Sequence, residues 1–328
     1  MNSDMIKFMI IPAIICFVVT AILARIYIPV LKSIKMGQKI LDIGPRWHKS
    51  KEGTPTMGGL FFIVPVIAVL TVLALLDENY TLLVHAVFIL LNGLIGFVDD
   101  YVKFFKKQNA GLTPSQKMVL QFSASALYIF ALVFLGNIDT MIRIPFTDIA
   151  FELHIALYCV LAAVGIVFTV NSVNLTDGID GLASSITAVV MLFMAVLAVK
   201  TNNENAMVVA ACIIGGTLGF LVYNFHPAKV FMGDTGSLFL GAAVSSMAFI
   251  LNCPVLILFA GFMYYVESIS VIIQVISYKT TGKRVFKMTP IHHHFEMGGW
   301  SEIKIVTVFS IIAAVVSIIG CFGFLPVL

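Results

Sequence analysis

The sequence predicts an all-α polytopic membrane protein, and this prediction comes from its composition and from the length of its apolar stretches. Hydrophobic residues make up 60% of the 328 residues and charged residues only 11%, and the mean hydropathy is +1.03. These values lie outside the range that is usual for soluble domains. A helix needs about 20 apolar residues to cross the hydrocarbon core of a bilayer, so stretches of that length are candidate transmembrane helices.

Ten stretches are apolar over nearly the full spanning length, which predicts ten transmembrane helices. They cover residues 5–31, 57–76, 81–98, 118–136, 153–171, 183–200, 206–224, 236–252, 255–278 and 303–326. They do not alternate polar with apolar residues, as strands of a membrane barrel would. No fixed repeat or low-complexity tract divides the chain, so residues 1–328 are predicted to form a single transmembrane domain.

Lysine and arginine predict the orientation of these helices. Sixteen of the 20 basic residues lie in alternate loops, at 32–56, 99–117, 172–182, 225–235 and 279–304. By the positive-inside rule these loops are cytoplasmic and both termini lie outside the cytoplasm. On the outer face, residues 141–146 and 149–153 alternate apolar and polar residues, which predicts a small external β-hairpin between helices 4 and 5.

Asp99 and Asp100 form an adjacent acidic pair at the end of the third stretch. Adjacent carboxylates repel each other, and a divalent cation or a bound proton relieves this repulsion. Lys103 stands where a DDxxD diphosphate motif would carry its third aspartate. The alternative interpretation is a pair of solvated charges at a helix end.

Residues 174–181 contain Asn174, Asp177 and Asp180 together with two glycines, and they include no lysine or arginine. Glycine lets the backbone approach a ligand closely. Asp180 could instead cap the helix that begins near Leu182. Capping would not account for both acids, so this segment is a candidate ligand site.

Asp234 lies close to two glycines in the segment 231–237. Mg²⁺ typically takes one or two carboxylates together with phosphate oxygens and water, so Asp234 is a candidate magnesium ligand. Thr235 or Ser237 could cap the eighth helix. The absence of a Walker motif from the sequence argues against a P-loop nucleotide site.

His292, His293 and His294 are consecutive, which at first suggests a zinc cluster. Consecutive histidines cannot all turn to one ion without an unusual backbone. The four nearby cations at residues 279, 283, 284 and 287 point to anionic ligands instead. Imidazole could hydrogen-bond a phosphate or carry a proton near neutral pH.

Five segments in order resemble the signatures of the polyprenyl-phosphate N-acetylhexosamine-1-phosphate transferases. They are residues 53–59, 96–103, 174–182, 231–238 and 288–296. The letters PTMGG at 55–59 and PIHHHFE at 290–296 are similar to the branch of this family that uses UDP-N-acetylmuramoyl-pentapeptide. The resemblance covers about residues 44 to 302.

The resemblance implies transfer of phospho-N-acetylmuramoyl-pentapeptide from its UDP carrier to undecaprenyl phosphate, which yields lipid I and UMP and requires Mg²⁺. It also implies a homodimer of ten-helix subunits in the bacterial inner membrane, in contact with membrane lipid but with no nucleic acid. The active site would face the cytoplasm. The ninth helix would be long and bent beside a groove for the lipid.

The resemblance further implies roles for individual residues. Asp234 would bind the metal, Asp99 would be the base that prepares the lipid phosphate, and Asp100 would support it. The phosphates would be held by Lys103 and Lys117, and the pyrophosphate side would include His293 as a catalytic group with His292 and His294. The nucleotide side would be formed by Lys51, Thr56, Asn174, Asp177, Asp180, Asn224, Gln274 and Phe231, with Phe231 stacking on uracil.

Two other functions fit parts of this pattern. A transferase of the same superfamily could use UDP-N-acetylglucosamine, although its members usually carry a differently spaced histidine motif. A cation-coupled transporter could use the same acids, but transporters tend to place ionisable groups near the bilayer midplane. For the transferase, direct attack of the lipid phosphate and a two-step route through an aspartyl-phosphate are both chemically possible.

Overall fold

A computed structural model describes residues 5–34, 51, 53–106 and 110–324. Within these ranges the chain is mostly helical. A π-helical turn, Ile6–Ile10, leads into α1 (Ile11–Ser33). The other helices are α2 (Leu60–Leu76), α3 (Tyr80–Phe105), α4 (Pro114–Phe134), α5 (Ile155–Thr176), α6 (Leu182–Lys200), α7 (Glu204–Asn224), α8 (Gly233–Ile250), α9 (Leu256–Ala260), α10 (Phe262–Thr281), α11 (Ile291–Glu296) and α12 (Glu302–Phe324).

Seven helices of the described chain are long and apolar enough to cross a membrane. They are α1 with its preceding turn, α3, α4, α5, α6, α7 and α12. Helix α2 is apolar but shorter, at 17 residues, and α8 and α10 are not among the seven. The prediction of a helical membrane protein is confirmed, whereas the count of ten spans stays a prediction.

The small β-hairpin is present where the alternating pattern predicts it. Strand β1 (Met141–Arg143) pairs antiparallel with β2 (Ala150–Glu152), and Ile142 lies opposite Phe151. Beyond the strands, the backbone N–H of Phe146 donates to the carbonyl of Gly323, 3.4 Å away. The hairpin therefore lies against the end of α12.

Two helices extend beyond the apolar stretches that predicted them. Helix α3 continues to Phe105 rather than ending near residue 98, and Lys103 pairs with Asp99 one turn earlier at 2.6 Å. Helix α4 begins at Pro114 rather than at residue 118, because Thr113 and Gln116 form a capping box. Hydropathy alone does not register these polar helix ends.

The ninth stretch is divided at Gly261 into the short α9 and the longer α10. Polar side chains of α10 point inward. Ser268 donates to Ser172 of α5 at 2.8 Å, and Ser270 donates to the carbonyl of Glu267 at 2.6 Å. Hydrogen bonding between helices therefore accounts for Ser268.

Helix α8 is the central element, since every residue from Thr235 to Ile250 is buried. Glycines let its N-terminal end lie against two neighbouring elements. A Cβ atom on Gly59 would overlap the backbone of Gly236, and one on Gly96 of α3 would overlap the carbonyl of Asp234. This close packing fixes the position of the acid that begins α8.

Candidate active site

A cavity of about 190 Å³ lies between the C-terminal end of α3, the segment after α5 and the N-terminal end of α8. Segments far apart in sequence meet there because α3 and α5 end, and α8 begins, at this point. Ten of the residues that line the cavity are site residues predicted from the sequence, namely Lys51, Thr56, Asp100, Lys103, Asn174, Asp177, Asp180, Asn224, Phe231 and Asp234.

Side chains from three other helices hold the Asp234 carboxylate at this cavity. Its Oδ2 accepts hydrogen bonds from the ammonium groups of Lys103 at 2.8 Å and Lys117 at 2.9 Å. Its Oδ1 accepts a third from the amide of Asn174 at 2.8 Å. Burial alone would raise the pKa of Asp234, but its hydrogen bond with Asp99 and the charges of Lys117 and Lys103 hold it below the usual range.

Asp100 holds the beginning of α8 from outside that helix. It accepts from the backbone N–H of Asp234 at 3.2 Å and from that of Thr235 at 2.9 Å. The Thr235 hydroxyl also donates to it, at 2.7 Å. The prediction that Thr235 or Ser237 caps α8 is therefore wrong. The Asp100 carboxylate accepts from these N–H groups, and the Ser237 hydroxyl donates to the carbonyl of Gly233.

Asp99 is also buried, with 3% of its surface exposed, so the interpretation as a solvated charge is wrong. Its carboxylate pairs with Lys103 at 2.6 Å and accepts from the backbone N–H of Leu112 at 2.8 Å. A Cβ on Gly111 would overlap this carboxylate. Gly111 and Leu112, which precede α4, thus lie against the Asp99 carboxylate.

The chemistry of these acids fits a divalent cation. One carboxylate oxygen from each of Asp99, Asp100 and Asp234 lies within 4.8 Å of the others. The Lys103 ammonium lies among them, at 2.6, 3.7 and 2.8 Å respectively, so one positive charge already offsets part of their negative charge. Hard oxygen ligands of this kind suit Mg²⁺. The set is larger than the single ligand, Asp234, that the resemblance implied.

Asp180 belongs to a second charged cluster on the other side of the cavity. Lys51 lies 2.7 Å from Asp180 and 2.7 Å from Glu302 at the start of α12. His226 and the backbone N–H of Ala228 are both 3.0 Å from the Asp180 carboxylate. Asp180 therefore does not cap α6. The N-cap residue is Gly181, which has a φ of 75° and makes no side-chain cap.

Sequence reasoning missed His226 and Glu302 as partners of Asp180. The available signals were weak. His226 is a lone histidine in the short segment between α7 and α8, and Glu302 precedes the last apolar stretch. Their pairing depends on how α12 packs beside α6, which no local motif records.

Asp177 lies on the cavity wall between the two charged clusters. Burial, followed by the nearby carboxylates of Asp234, Asp100 and Asp180, raises its pKa well above the usual range. A cation bound near Asp177 would favour its ionised form. The wall is thus short of positive charge on this side.

The PTMGG segment forms another wall by pairing with the segment that precedes α8. The Phe231 backbone N–H donates to the carbonyl of Pro55 at 2.8 Å, and that of Gly58 donates to the carbonyl of Phe231 at 2.9 Å. Asn224 donates to the carbonyl of Val230 at 3.0 Å. Thr56, Phe231 and Asn224 are therefore held together at one side of the cavity.

Gln274 does not line this cavity. Its side-chain oxygen accepts from the backbone N–H groups of Val285 and Phe286, at 2.9 Å each. Its amide nitrogen donates to the carbonyl of Phe286 at 3.0 Å. These three hydrogen bonds secure the segment between α10 and α11.

The three histidines have three different partners. His292 Nδ1 lies 3.0 Å from Glu267, His293 bonds to Glu296, and His294 Nδ1 accepts from the backbone N–H of Lys287 at 3.1 Å. They do not converge on one ion, which agrees with the argument against zinc. In the described part of the chain, none of the three is among the cavity-lining residues.

Two sequence profiles match the chain across this site. One, described as glycosyl transferase family 4, matches residues 80–252, which include both ends of α3 and α8. The other, described as phospho-N-acetylmuramoyl-pentapeptide-transferase signature 1, matches residues 51–63. This second match includes Lys51 and Thr56.

Curated proteins named phospho-N-acetylmuramoyl-pentapeptide-transferase are similar to nearly the whole chain. That of Clostridium botulinum (strain Alaska E43 / Type E3) is 48% identical over 308 residues, which are 93% of this chain and 93% of the relative. That of Staphylococcus carnosus (strain TM300) is 42% identical over 94% of this chain and 97% of the relative. For Bacillus subtilis (strain 168) the identity is 42%, over 93% and 94%. The chain therefore belongs to the phospho-N-acetylmuramoyl-pentapeptide-transferase family.

Proposed function

We propose that the chain transfers phospho-N-acetylmuramoyl-pentapeptide from UDP-N-acetylmuramoyl-pentapeptide to undecaprenyl phosphate, forming lipid I and UMP. The observation that carries this proposal is the position of Asp234. It holds two ammonium groups and one amide at a cavity that Lys51 and Thr56 of the family signature segment also line. Such a cavity can receive a diphosphate and a second phosphate together.

Charge balance explains why these residue types suit the reaction. The donor diphosphate and the acceptor phosphate bring much negative charge into one place, so positioning and electrostatic stabilisation matter more than an unusual nucleophile. Bound Mg²⁺ would supply Lewis-acid stabilisation of this charge, held by Asp234 with Asp99 and Asp100. Lys103 and Lys117, which pair with Asp234, would turn to the phosphates.

Asp99 is the proposed proton acceptor for the lipid phosphate. Its carboxylate is held by Lys103 and by the backbone N–H of Leu112, beside the predicted phosphate site. Phe231 would stack on uracil, with Thr56 and Asn224 beside it. Lys51, Asn174, Asp177 and Asp180 would complete the nucleotide wall.

The lipid tail needs an apolar surface, and a groove of about 260 Å³ provides one. It lies between α5, the end of α8 and the α9–α10 pair. Its lining includes Phe168, Ile257 and Tyr265. The groove also reaches the β-hairpin at Ile142. We place the far end of the isoprenoid chain here.

The proposed assembly is a homodimer in the bacterial inner membrane. Each chain would be one domain with ten spans, in which α2, α8 and the α9–α10 pair join the seven long apolar helices. Both termini would be outside the cytoplasm. The basic loops support a cytoplasmic cavity, because Lys103, Lys117 and Lys51 lie in them or at their edges.

The two alternatives are less well supported. A UDP-N-acetylglucosamine transferase would share the acidic site, but the signature over residues 51–63 and the relatives favour the muramoyl-pentapeptide donor. A cation-coupled transporter does not explain why the buried acids lie at the ends of α3, α5 and α8. Family membership places the chain among enzymes.

The proposed function is tested with purified protein, undecaprenyl phosphate and Mg²⁺, supplied with either UDP-sugar in separate reactions. We expect a lipid-linked product and an equal amount of UMP with UDP-N-acetylmuramoyl-pentapeptide, and neither with UDP-N-acetylglucosamine. Product from UDP-N-acetylglucosamine alone would replace the proposal with the first alternative. No product from either donor would reject both.

A further inference from the structure

Glu267 of α10 and His292 of α11 form a fully buried pair behind the cavity. Both side chains have 0% of their surface exposed. His292 Nδ1 lies 3.0 Å from Glu267 Oε2, and the backbone N–H of His292 donates to the same oxygen at 3.3 Å. The carboxylate therefore fixes both the start of α11 and the orientation of the imidazole ring.

The pairing determines which ring nitrogen is left for another partner. A carboxylate only accepts hydrogen bonds, so Nδ1 carries the hydrogen that faces Glu267. His292 Nε2 then points away from the pair, and it has no hydrogen-bond partner among the described residues although it is buried. A buried polar atom without a partner costs free energy, so its position calls for an explanation.

Nε2 is directed at the wall of the substrate cavity. A Cβ atom on Gly178 would overlap it, and Gly178 lines the cavity beside Asp177. The wall between the imidazole and the cavity is thus a single residue without a side chain. A small displacement of this segment would bring Nε2 into contact with a bound molecule.

We propose that Glu267 is a positioning residue that directs His292 Nε2 through the Gly178 wall to hydrogen-bond the bound donor. This inference rests on the proposed function and adds a residue to it. In the bound complex the two ring N–H groups of His292 would donate to different partners, Nδ1–H to Glu267 and Nε2–H to a donor phosphate oxygen. Hydrogen bonds of this kind, between charged partners, are the stronger ones.

A double-mutant cycle on donor binding tests the proposal. Glu267→Gln keeps the size and one acceptor oxygen but removes the charge. We expect Glu267→Gln and His292→Ala each to weaken binding of UDP-N-acetylmuramoyl-pentapeptide about tenfold, the loss expected for one hydrogen bond to a charged group. If Glu267 acts through His292, the double variant binds no more weakly than His292→Ala alone.

Ser270→Ala is the matched control, because Ser270 is buried on the same helix and contacts Glu267 only through its backbone carbonyl. We expect this variant to bind the donor as the wild type does. The proposal would be overturned if Glu267→Gln weakened donor binding equally in the wild type and in His292→Ala. It would also be overturned if Glu267→Gln did not weaken donor binding at all. Turnover by the wild type and Ser270→Ala tests the proposed function separately, and binding stays measurable in inactive variants.

Discussion

Asp100 shows how a residue can be selected correctly by sequence and yet have a different contact from the one expected. The acidic pair and the family resemblance made it a support for the base. In the structure its carboxylate accepts three hydrogen bonds from the first residues of α8, two from Asp234 and Thr235 N–H groups and one from the Thr235 hydroxyl. Asp100 thus positions Asp234.

Replacing Asp100 tests this capping role. Asp100→Ala leaves two backbone N–H groups without an acceptor, so we expect it to lower the free energy of unfolding by about 1–3 kcal/mol. Asp100→Asn keeps one acceptor oxygen, so we expect it to lower the free energy of unfolding by less than Asp100→Ala does. Thermal unfolding in detergent measures both, with the exposed Asp148→Ala as control. A wild-type midpoint for Asp100→Ala would contradict the capping role.

At the same scale, sequence could predict the acids but not all of their partners. Asp99, Asp177, Asp180 and Asp234 stand in short polar gaps between apolar stretches, where a carboxylate requires an explanation. His226 and Glu302, which lie beside Asp180, lack such a signal because their contacts arise only when distant helices pack. His292 was selected as one of three consecutive histidines, but its pairing with the buried Glu267 arises only when α10 and α11 pack together.

The helices could be predicted from apolar length, and their ends could not. Each apolar stretch corresponds to a helix, except that the ninth is divided at Gly261. Helix α3 continues past its apolar part because Lys103 neutralises Asp99 within the helix. Hydropathy also does not predict how the helices pack together. At the start of α8, glycines determine this packing.

Gly59 is the clearest test of this packing. A Cβ on Gly59 would overlap the Gly236 backbone, which cannot yield as a side chain can. We expect Gly59→Ala to lower the free energy of unfolding by about 1–3 kcal/mol and to reduce turnover by shifting Asp234. Gly165→Ala is the control for stability, because a Cβ there has no atom within 4 Å. Equal unfolding midpoints for the two variants would contradict this account.

At the scale of the whole molecule, the predicted orientation places the cavity on the cytoplasmic face and the hairpin outside. Single cysteines at exposed positions test this, with a membrane-impermeant maleimide applied to intact cells. We expect Thr147→Cys, in the hairpin turn, to react from outside. Lys283→Cys, after α10, should react only once the membrane is opened. The opposite pattern would invert the topology and contradict the proposed cytoplasmic site.

The central claim is that Asp234 organises the charges that transfer the phosphosugar. Asp234→Asn removes the charge that holds Lys103 and Lys117, and a loss of this kind of electrostatic stabilisation costs about 10²–10³-fold or more in turnover. The control is Asp148→Asn, which alters an exposed acid in the hairpin turn.

The most direct measurement is the rate at which each purified protein forms lipid-linked product and UMP from UDP-N-acetylmuramoyl-pentapeptide and undecaprenyl phosphate with Mg²⁺. The account predicts equal rates for the wild type and Asp148→Asn, and a rate at least about 10²-fold lower for Asp234→Asn. A wild-type rate for Asp234→Asn would contradict it.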